Sequence, residues 1–291
     1  MAGHIFGGDW TEEKLNRIRK YLAAYVKIMD KQNFTTAYID AFAGTGYRSI
    51  CDSEKQSELL FPELAEKDTQ DFLQGSAKIA LQVTPRFSKY IFIENDEQHY
   101  KALNLLKEEH PELKNDIVVM KADANSYLKE RCSNYSWQKH RAVLFLDPYG
   151  MEVEWSTIEV IAKTKAIDMW LLFPLGVAVN RLLRRNGKIS SAVHSKLDNF
   201  FGASDWKNSF YKIVDKETLF GTTSAIEKTA DFSEISKYFV KRLKTIFTGV
   251  AENPLPLTNS KNIPLFLLCF AAGNPKGAKT AIKIAQDILK R

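Results

Sequence analysis

The tetrapeptide Asp147-Pro148-Tyr149-Gly150 follows the apolar run RAVLFL (141–146). An acid, a proline and an aromatic residue at the end of a buried strand can hold an exocyclic amino group while its nitrogen attacks an electrophilic carbon. The carboxylate accepts one N–H, the main-chain carbonyl beside the proline accepts the other, and the ring stacks on the base that carries the amine. This makes Asp147, Pro148 and Tyr149 the candidate catalytic residues. The plain alternative is a strand-ending turn, since Asp-Pro is a frequent turn starter.

A second pattern lies about a hundred residues earlier, AYIDAFAGTG (37–46). Ala37 to Ile39 reads as a strand that Asp40 closes, and Ala41 to Gly46 reads as a small-residue loop. Gly44 and Gly46 let the backbone pass close to a ligand. A glycine-rich loop after a first strand is the cofactor position of doubly wound α/β folds. A dinucleotide loop carries a third glycine near position 49, where a helix packs under the pyrophosphate, but Tyr47, Arg48 and Ser49 stand here. A nicotinamide enzyme is disfavoured on that ground. No GxxxxGK[ST] is present, which disfavours a nucleoside triphosphate. An adenosine-bearing cofactor without phosphate fits, namely S-adenosylmethionine, with Asp40, Phe42, Gly44 and Gly46 as its candidate loop ligands.

Such a cofactor calls for an acid to bind its ribose, about 20 residues past the loop in a compact unit. KYIFIEND (89–96) offers a strand that ends in Glu94, 48 residues after Gly46. Residues 47–74 read as a polar insertion, and removing these 28 leaves a spacing of 20. Glu94 is read as the ribose acid, against a solvated strand end. Gly75-Ser76 then opens a helix, with Ser76 as its expected cap. A third strand, DIVVMKAD (116–123), ends in Asp123. Asp123 is either a contact for the adenine amino group or the N-cap of the helix that follows.

These residues need a scaffold, and the chain supplies an alternating one. Strands are expected to end near 40, 94, 122 and 146, with a fifth over 166–173. Helices are expected over 76–84, 96–110, 124–132 and 155–164. Alternation at this spacing gives parallel strands with right-handed crossovers, and continuous apolar runs give a sheet covered on both faces. Every proposed ligand then falls at the carboxyl edge, where such sheets bind ligands. PLPLTN (254–259) and IPLFLLCFAAG (263–273) are expected to form an antiparallel hairpin at the sheet edge, because Pro254, Pro256 and Pro264 suit edge or strand-start positions. Residues 277–291 read as a terminal helix. Residues 9–29 read as another, with Leu15, Ile18, Leu22, Tyr25, Val26 and Met29 on one face and Lys14 or Trp10 near the cofactor.

Taken together, IDAFAGTG, GSAKIAL, FIEND, FLDPYG and LLCFAAGNPKGAKTA resemble the three-Cys-motif partner proteins (TcmP), from about residue 10 to 291. That family is similar to class I S-adenosylmethionine-dependent methyltransferases. The resemblance implies a Rossmann-like methyltransferase sheet and a partner protein that carries a three-cysteine motif. The DPYG turn also resembles the motif of tRNA guanine-N2 methyltransferases and the D-P-P-Y of amino-methylating DNA enzymes. It departs from the latter by placing Tyr149 at the second proline and Gly150 at the aromatic position. The functional expectation is methyl transfer to an amino nitrogen of a nucleobase in DNA or RNA. The alternative is an inactive methyltransferase-fold module that binds a partner or nucleic acid.

Composition fits one large α/β domain with an appended lobe: 291 residues, 45% hydrophobic and 26% charged. No apolar run approaches the roughly 20 residues of a membrane span, and MAGHIFGGDW lacks the features of a signal peptide. Cys51, Cys132 and Cys269 are odd in number and far apart, and the five histidines show no metal-ligand spacing. A cytoplasmic protein without a resident metal is expected. The net charge of +6 is permissive for nucleic acid. RLLRRNGK (181–188) places Arg181, Arg184, Arg185 and Lys188 together without an acid, a candidate phosphate track. The expected organisation is a methyltransferase-like body, 1–180 plus 245–291, and a basic helical insertion, 181–244, with a winged-helix-like arrangement entertained. The aromatics Phe200, Phe201, Trp206, Phe210 and Tyr211 are read as the core of that insertion rather than as stacking platforms.

Overall fold

The computed structural model describes residues 9–41, 75–148, 150–218 and 221–290. Helix α1 spans Asp9–Met29 and strand β1 Thr35–Ala41. Helix α2 covers 75–81. Then come β2 (Lys89–Glu94), α3 (Glu97–Glu109), β3 (Ile117–Lys121), α4 (Ala124–Asn134), β4 (His140–Leu146), α5 (Trp155–Lys163) and β5 (Ile167–Phe173). The main sheet has the order β3-β2-β1-β4-β5, with these five strands parallel. The order reverses direction at β1, so the carboxyl ends of β1 and β4 flank the switch point, where ligands bind in open α/β sheets.

The mixed α/β fold with a mostly parallel central sheet is as expected, and so is its antiparallel end. Strand β10 (Pro264–Ala272) lies antiparallel against β5, and β9 (Leu255–Thr258) and β8 (Gly249–Val250) pair antiparallel with β10. Pro264 opens its strand and Pro256 sits on an edge strand, where a missing N–H does least harm.

Two cores cover the two faces of the sheet. One joins Ile39, Leu144 and Leu171 to Leu128 of α4 and Ile158 of α5. The other joins Tyr38, Phe92, Phe145 and Trp170 to Ile18 and Leu22 of α1, Leu103 of α3 and Ala285 of the last helix, α9 (Ala278–Ile288). Successive residues of β1, β2 and β4 alternate between these cores, because strand side chains point to opposite faces.

Residues after β5 begin with a π-helical turn, Leu175–Val179. Gly176 is required there, since a Cβ would lie 2.0 Å from the Pro264 carbonyl oxygen. Helices α6 (Ser191–Phe201), α7 (Trp206–Phe210) and α8 (Phe232–Lys244) follow. The segment 181–244 is not wholly helical. An antiparallel hairpin, β6 (Tyr211–Thr218) and β7 (Gly221–Lys228), stands between α7 and α8. Helix α8 is capped by Asp231 in a reciprocal box with Glu234. The aromatics of this segment are core: Phe200, Phe201, Trp206, Phe210 and Tyr211 are buried, and Phe239 stacks 4.2 Å from Phe173 of β5.

Candidate active site

Register brings the predicted acids together. Asp40 is the sixth residue of β1 and pairs with Phe92 on one side and Phe145 on the other. Glu94 ends β2, and Asp147 follows the last residue of β4. The Asp147 N–H donates to the Ala41 carbonyl at 3.3 Å, which ties the turn to the end of β1. Asp40, Glu94 and Asp147 therefore lie at the carboxyl ends of three neighbouring strands. Phe42, Gly44, Gly46 and Tyr149 lie outside the described residues.

Asp147 does not stand alone. Lys14 Nζ donates to its Oδ2 at 2.9 Å, and the two side chains are 2% and 10% exposed. The ammonium also lies 5.1 Å from the Trp10 ring centroid and 5.9 Å from that of Phe145, within cation–π range. Burial pushes the Asp147 carboxyl up and the Lys14 ammonium pulls it back. Burial lowers Lys14 in turn, opposed by Asp147 and Asp40. An ion pair this deep holds both partners in one geometry, because removing either leaves an uncompensated charge.

Asp40 is buried beside this pair. Its Oδ2 accepts the Tyr38 hydroxyl at 3.0 Å, and Ser76 hydrogen-bonds the same carboxyl. Burial raises Asp40 to about 7; the Ser76 and Tyr38 bonds and Lys14 oppose the rise, and the charge of Asp147 adds to it. Ser76 thus lies within α2 and reaches across to β1, rather than capping the helix start.

Glu94 is 1% exposed. Its Oε1 accepts the Asp96 N–H at 2.6 Å, while its buried Oε2 has no hydrogen-bond partner among the described residues. Burial raises this carboxyl to about 8, with the Asp96 and Asn95 N–H groups opposing. A buried acceptor left open at the carboxyl edge fits a ligand that brings hydroxyl donors, as a ribose does.

Asp123 takes the capping role. Its Oδ1 accepts the Ser126 N–H at 2.8 Å at the start of α4. Nearby Asn125 bonds the Glu152 carbonyl, the Glu154 N–H and the Thr157 hydroxyl, fixing the stretch that follows the DPYG turn against α4. Arg181, Arg184, Arg185 and Lys188 are exposed, and none forms an ion pair with a described residue. They lie outside the acid cluster, beyond the end of β5.

Ser76 is the residue whose role at the site the sequence did not disclose, and Lys14, expected near the cofactor, was not read as the partner of Asp147. Lys14 carried a signal: it lies four residues before Ile18, in register with the buried stripe Ile18, Tyr21, Leu22, Tyr25 and Val26. A cation in an apolar helical stripe needs a buried partner.

The chemistry available is specific. The pocket sets Asp40 and Asp147 beside the buried Lys14 ammonium, with Glu94 next to Asp40, where dielectric screening is weak and a bound cation would draw these carboxyls toward their ionised forms. It suits a cationic group that also carries hydroxyl donors. Lys14 occupies only Oδ2 of Asp147, and no described residue donates to Oδ1, which is left to accept an N–H.

No family model matches the chain, and no curated protein matches it either. Solved structures do. LPL1258 of Legionella pneumophila aligns over 98% of this chain and 92% of its own, with 13% identity and a TM-score of 0.47. The plantazolicin methyltransferase BpumL, solved with SAH, aligns over 91% and 85%, with 10% identity and a TM-score of 0.33. Sp1610 of Streptococcus pneumoniae, a candidate tRNA (m1A22) methyltransferase, aligns over 92% and 96%, with 12% identity and a TM-score of 0.26. At such identities and scores no residue role is carried over. Among the described residues no helix is long and apolar enough to cross a membrane.

Proposed function

We propose that this protein is an S-adenosylmethionine-dependent methyltransferase that acts on an amino nitrogen of a nucleobase in nucleic acid. The observation that carries the reading is the buried, partly unsatisfied acid cluster at neighbouring strand ends: Glu94 with an open oxygen, Asp40 beside it, and Asp147 held by Lys14. Glu94 would take the ribose hydroxyls. Asp40 lies under the expected glycine loop and contributes negative charge beside a cationic group. When bound, the cofactor supplies an electrophilic methyl carbon.

The chain's own residues supply alignment. Asp147 Oδ1 accepts one N–H of the incoming amino group, and the carbonyl beside Pro148 accepts the other, which raises electron density on the nitrogen and aims its lone pair. Lys14 fixes the carboxylate's orientation and favours its ionised form. The proton lost after methylation leaves a nitrogen made acidic by attack, so no strong base is needed. Residues 1–180 with 245–291 form the catalytic body in this reading, and 181–244 form the substrate-facing insertion, whose helices and hairpin suit a winged-helix-like part. Arg181, Arg184, Arg185 and Lys188 provide its phosphate track. Membership of the TcmP family, with a three-cysteine partner protein and a cytoplasmic location, belongs to the same proposal.

A second reading, a methyltransferase-fold scaffold without catalysis, draws on one observation: Asp147 already has a cation on one oxygen. Two measurements separate them. Calorimetric titration with S-adenosylmethionine should show saturable binding, and its absence would favour the scaffold. Mass spectrometry of host nucleosides with and without the protein should then reveal one N-methylated nucleoside that depends on Asp147.

A further inference from the structure

The chain's net positive charge is confined to one segment. Residues 181–244 hold thirteen Lys/Arg against seven Asp/Glu, while the whole chain holds 41 against 35. The excess of this segment equals the net +6 of the protein, and the remaining residues are balanced. The hairpin itself is neutral, so the excess lies in its surroundings, chiefly the turn 181–188.

That turn is built onto the root of the hairpin. The Lys228 N–H donates to the Arg185 carbonyl at 2.8 Å, and the Tyr211 hydroxyl donates to the Arg184 carbonyl at 3.0 Å. Lys228 Nζ bonds the Asn180 side chain. Gly187, at φ +67°, lets the turn close against β7, and a Cβ there would meet Ile226 at 2.7 Å. The backbones of Arg184 and Arg185 are thereby locked to the strands while their side chains face solvent.

The hairpin presents an apolar pair beside these cations. Ile213 and Ile226 are direct cross-strand partners, 74% and 54% exposed, the two most exposed large apolar residues among those described. Farther along the same face, Asp215 accepts the Ser224 hydroxyl, so its charge is partly taken up. Two isoleucines are too little apolar surface for a stable protein interface, which buries on the order of 800 Å² per partner. Apolar side chains flanked by arginines are what a protein uses to enter between bases, the cations holding the backbone and the apolar group separating the stack. An amino nitrogen inside a duplex is out of reach until its base is unstacked.

We propose that the β6–β7 hairpin is a wedge: Ile213 and Ile226 enter a base step of a polynucleotide while Arg184 and Arg185 hold the adjoining phosphates. The inference rests on the nucleic-acid half of the proposed function and not on catalysis. The test is therefore run without cofactor. Fluorescence anisotropy measures binding to single- and double-stranded oligonucleotides, and 2-aminopurine placed in the duplex reports unstacking. Wild type should bind and raise the 2-aminopurine signal. I213S/I226S should keep its thermal stability and salt dependence but lose the signal and about tenfold in affinity, as expected for lost base contacts. R184S/R185S should flatten the slope of log affinity against log salt by about 2, one per phosphate contact. A double-isoleucine variant that binds and unstacks like wild type overturns the wedge. So does a wild type that ignores both oligonucleotides and instead binds polyglutamate, which would make the partner an acidic protein. Oligonucleotide binding with unstacking but no affinity for S-adenosylmethionine would sink the catalytic reading alone.

Discussion

At the amino end of the sheet Asp168, second residue of β5, is buried like the acids at the other end, yet it has a firm partner in the protein. Its Oδ2 accepts the Tyr21 hydroxyl at 2.7 Å. Burial raises it to about 6, opposed by Tyr21, the Gly273 backbone and Arg141. At the carboxyl end Glu94 keeps an open oxygen, and Lys14 bonds Asp147 with Asp40 beside the pair. Burial and a raised pKa are thus common to both regions. What separates them is the end of the strand on which they sit and whether their bonding capacity is used up. Asp168 joins α1 to β5 through Tyr21, while Glu94 keeps an oxygen that no described residue fills.

The largest effect that could break this contrast comes from Asp147→Ala. Methyl transfer should fall by about 10³-fold or more while cofactor affinity stays within a few-fold, as expected when an interaction made at the reacting nitrogen is lost. Wild-type turnover on the true substrate would reduce Asp147 to a turn residue like any other. Next comes Glu94→Gln, which should weaken S-adenosylmethionine binding by about 10- to 100-fold in calorimetry, the cost of replacing a carboxyl oxygen that accepts from the ribose by an amide nitrogen that cannot. Equal affinity would place the ribose elsewhere.

Asp168→Ala should do the converse. Leaving the buried Tyr21 hydroxyl unpaired should cost about 2 kcal/mol in denaturant unfolding with cofactor affinity unchanged. A smaller effect should appear in the ligand-free protein as pH rises. Asp168, Asp40 and Glu94 reach about 6, 7 and 8, so the folded state keeps protons that the unfolded chain has already released above about pH 4. The folded state binds more protons, so stability falls as pH rises through these values and levels off above about 8. Melting temperature should drop on the order of 5 °C between pH 5.5 and 8.5, and Glu94→Gln should flatten the upper part of that fall. The smallest effect belongs to Asp123→Ser, which keeps an N-cap. It should leave both stability and cofactor affinity nearly unchanged, and a marked loss of affinity would restore the adenine contact.

The strand ends were legible because each acid closes or follows an apolar run, and the alternation of strands and helices dictates that such ends share one edge. The β6–β7 hairpin was not. It buries neither face, so YKIVDKET and GTTSAIEK lack the in–out alternation that marks a half-buried strand. The Lys14–Asp147 pair spans 133 positions, and nothing local in a sequence couples residues that far apart. Asp123 had two uses written in the same residue type, and the structure shows the capping one in its bond from the Ser126 N–H.

Helix α1 carries a consequence for how the molecule is assembled. Its stripe bears Lys14 at one end and Tyr21 two turns on, Trp10 lies 5.1 Å from Phe266, and Arg17 donates to the carbonyls of Ile288 and Lys290. Helix α1 thus finds its berth only after β10 and α9, far along the chain, exist. Until then two polar anchors and an oily flank stay wet, and closing so long a loop is slow. The acid cluster therefore gains its lysine only once α9 is in place, and deleting α9 should unseat Lys14.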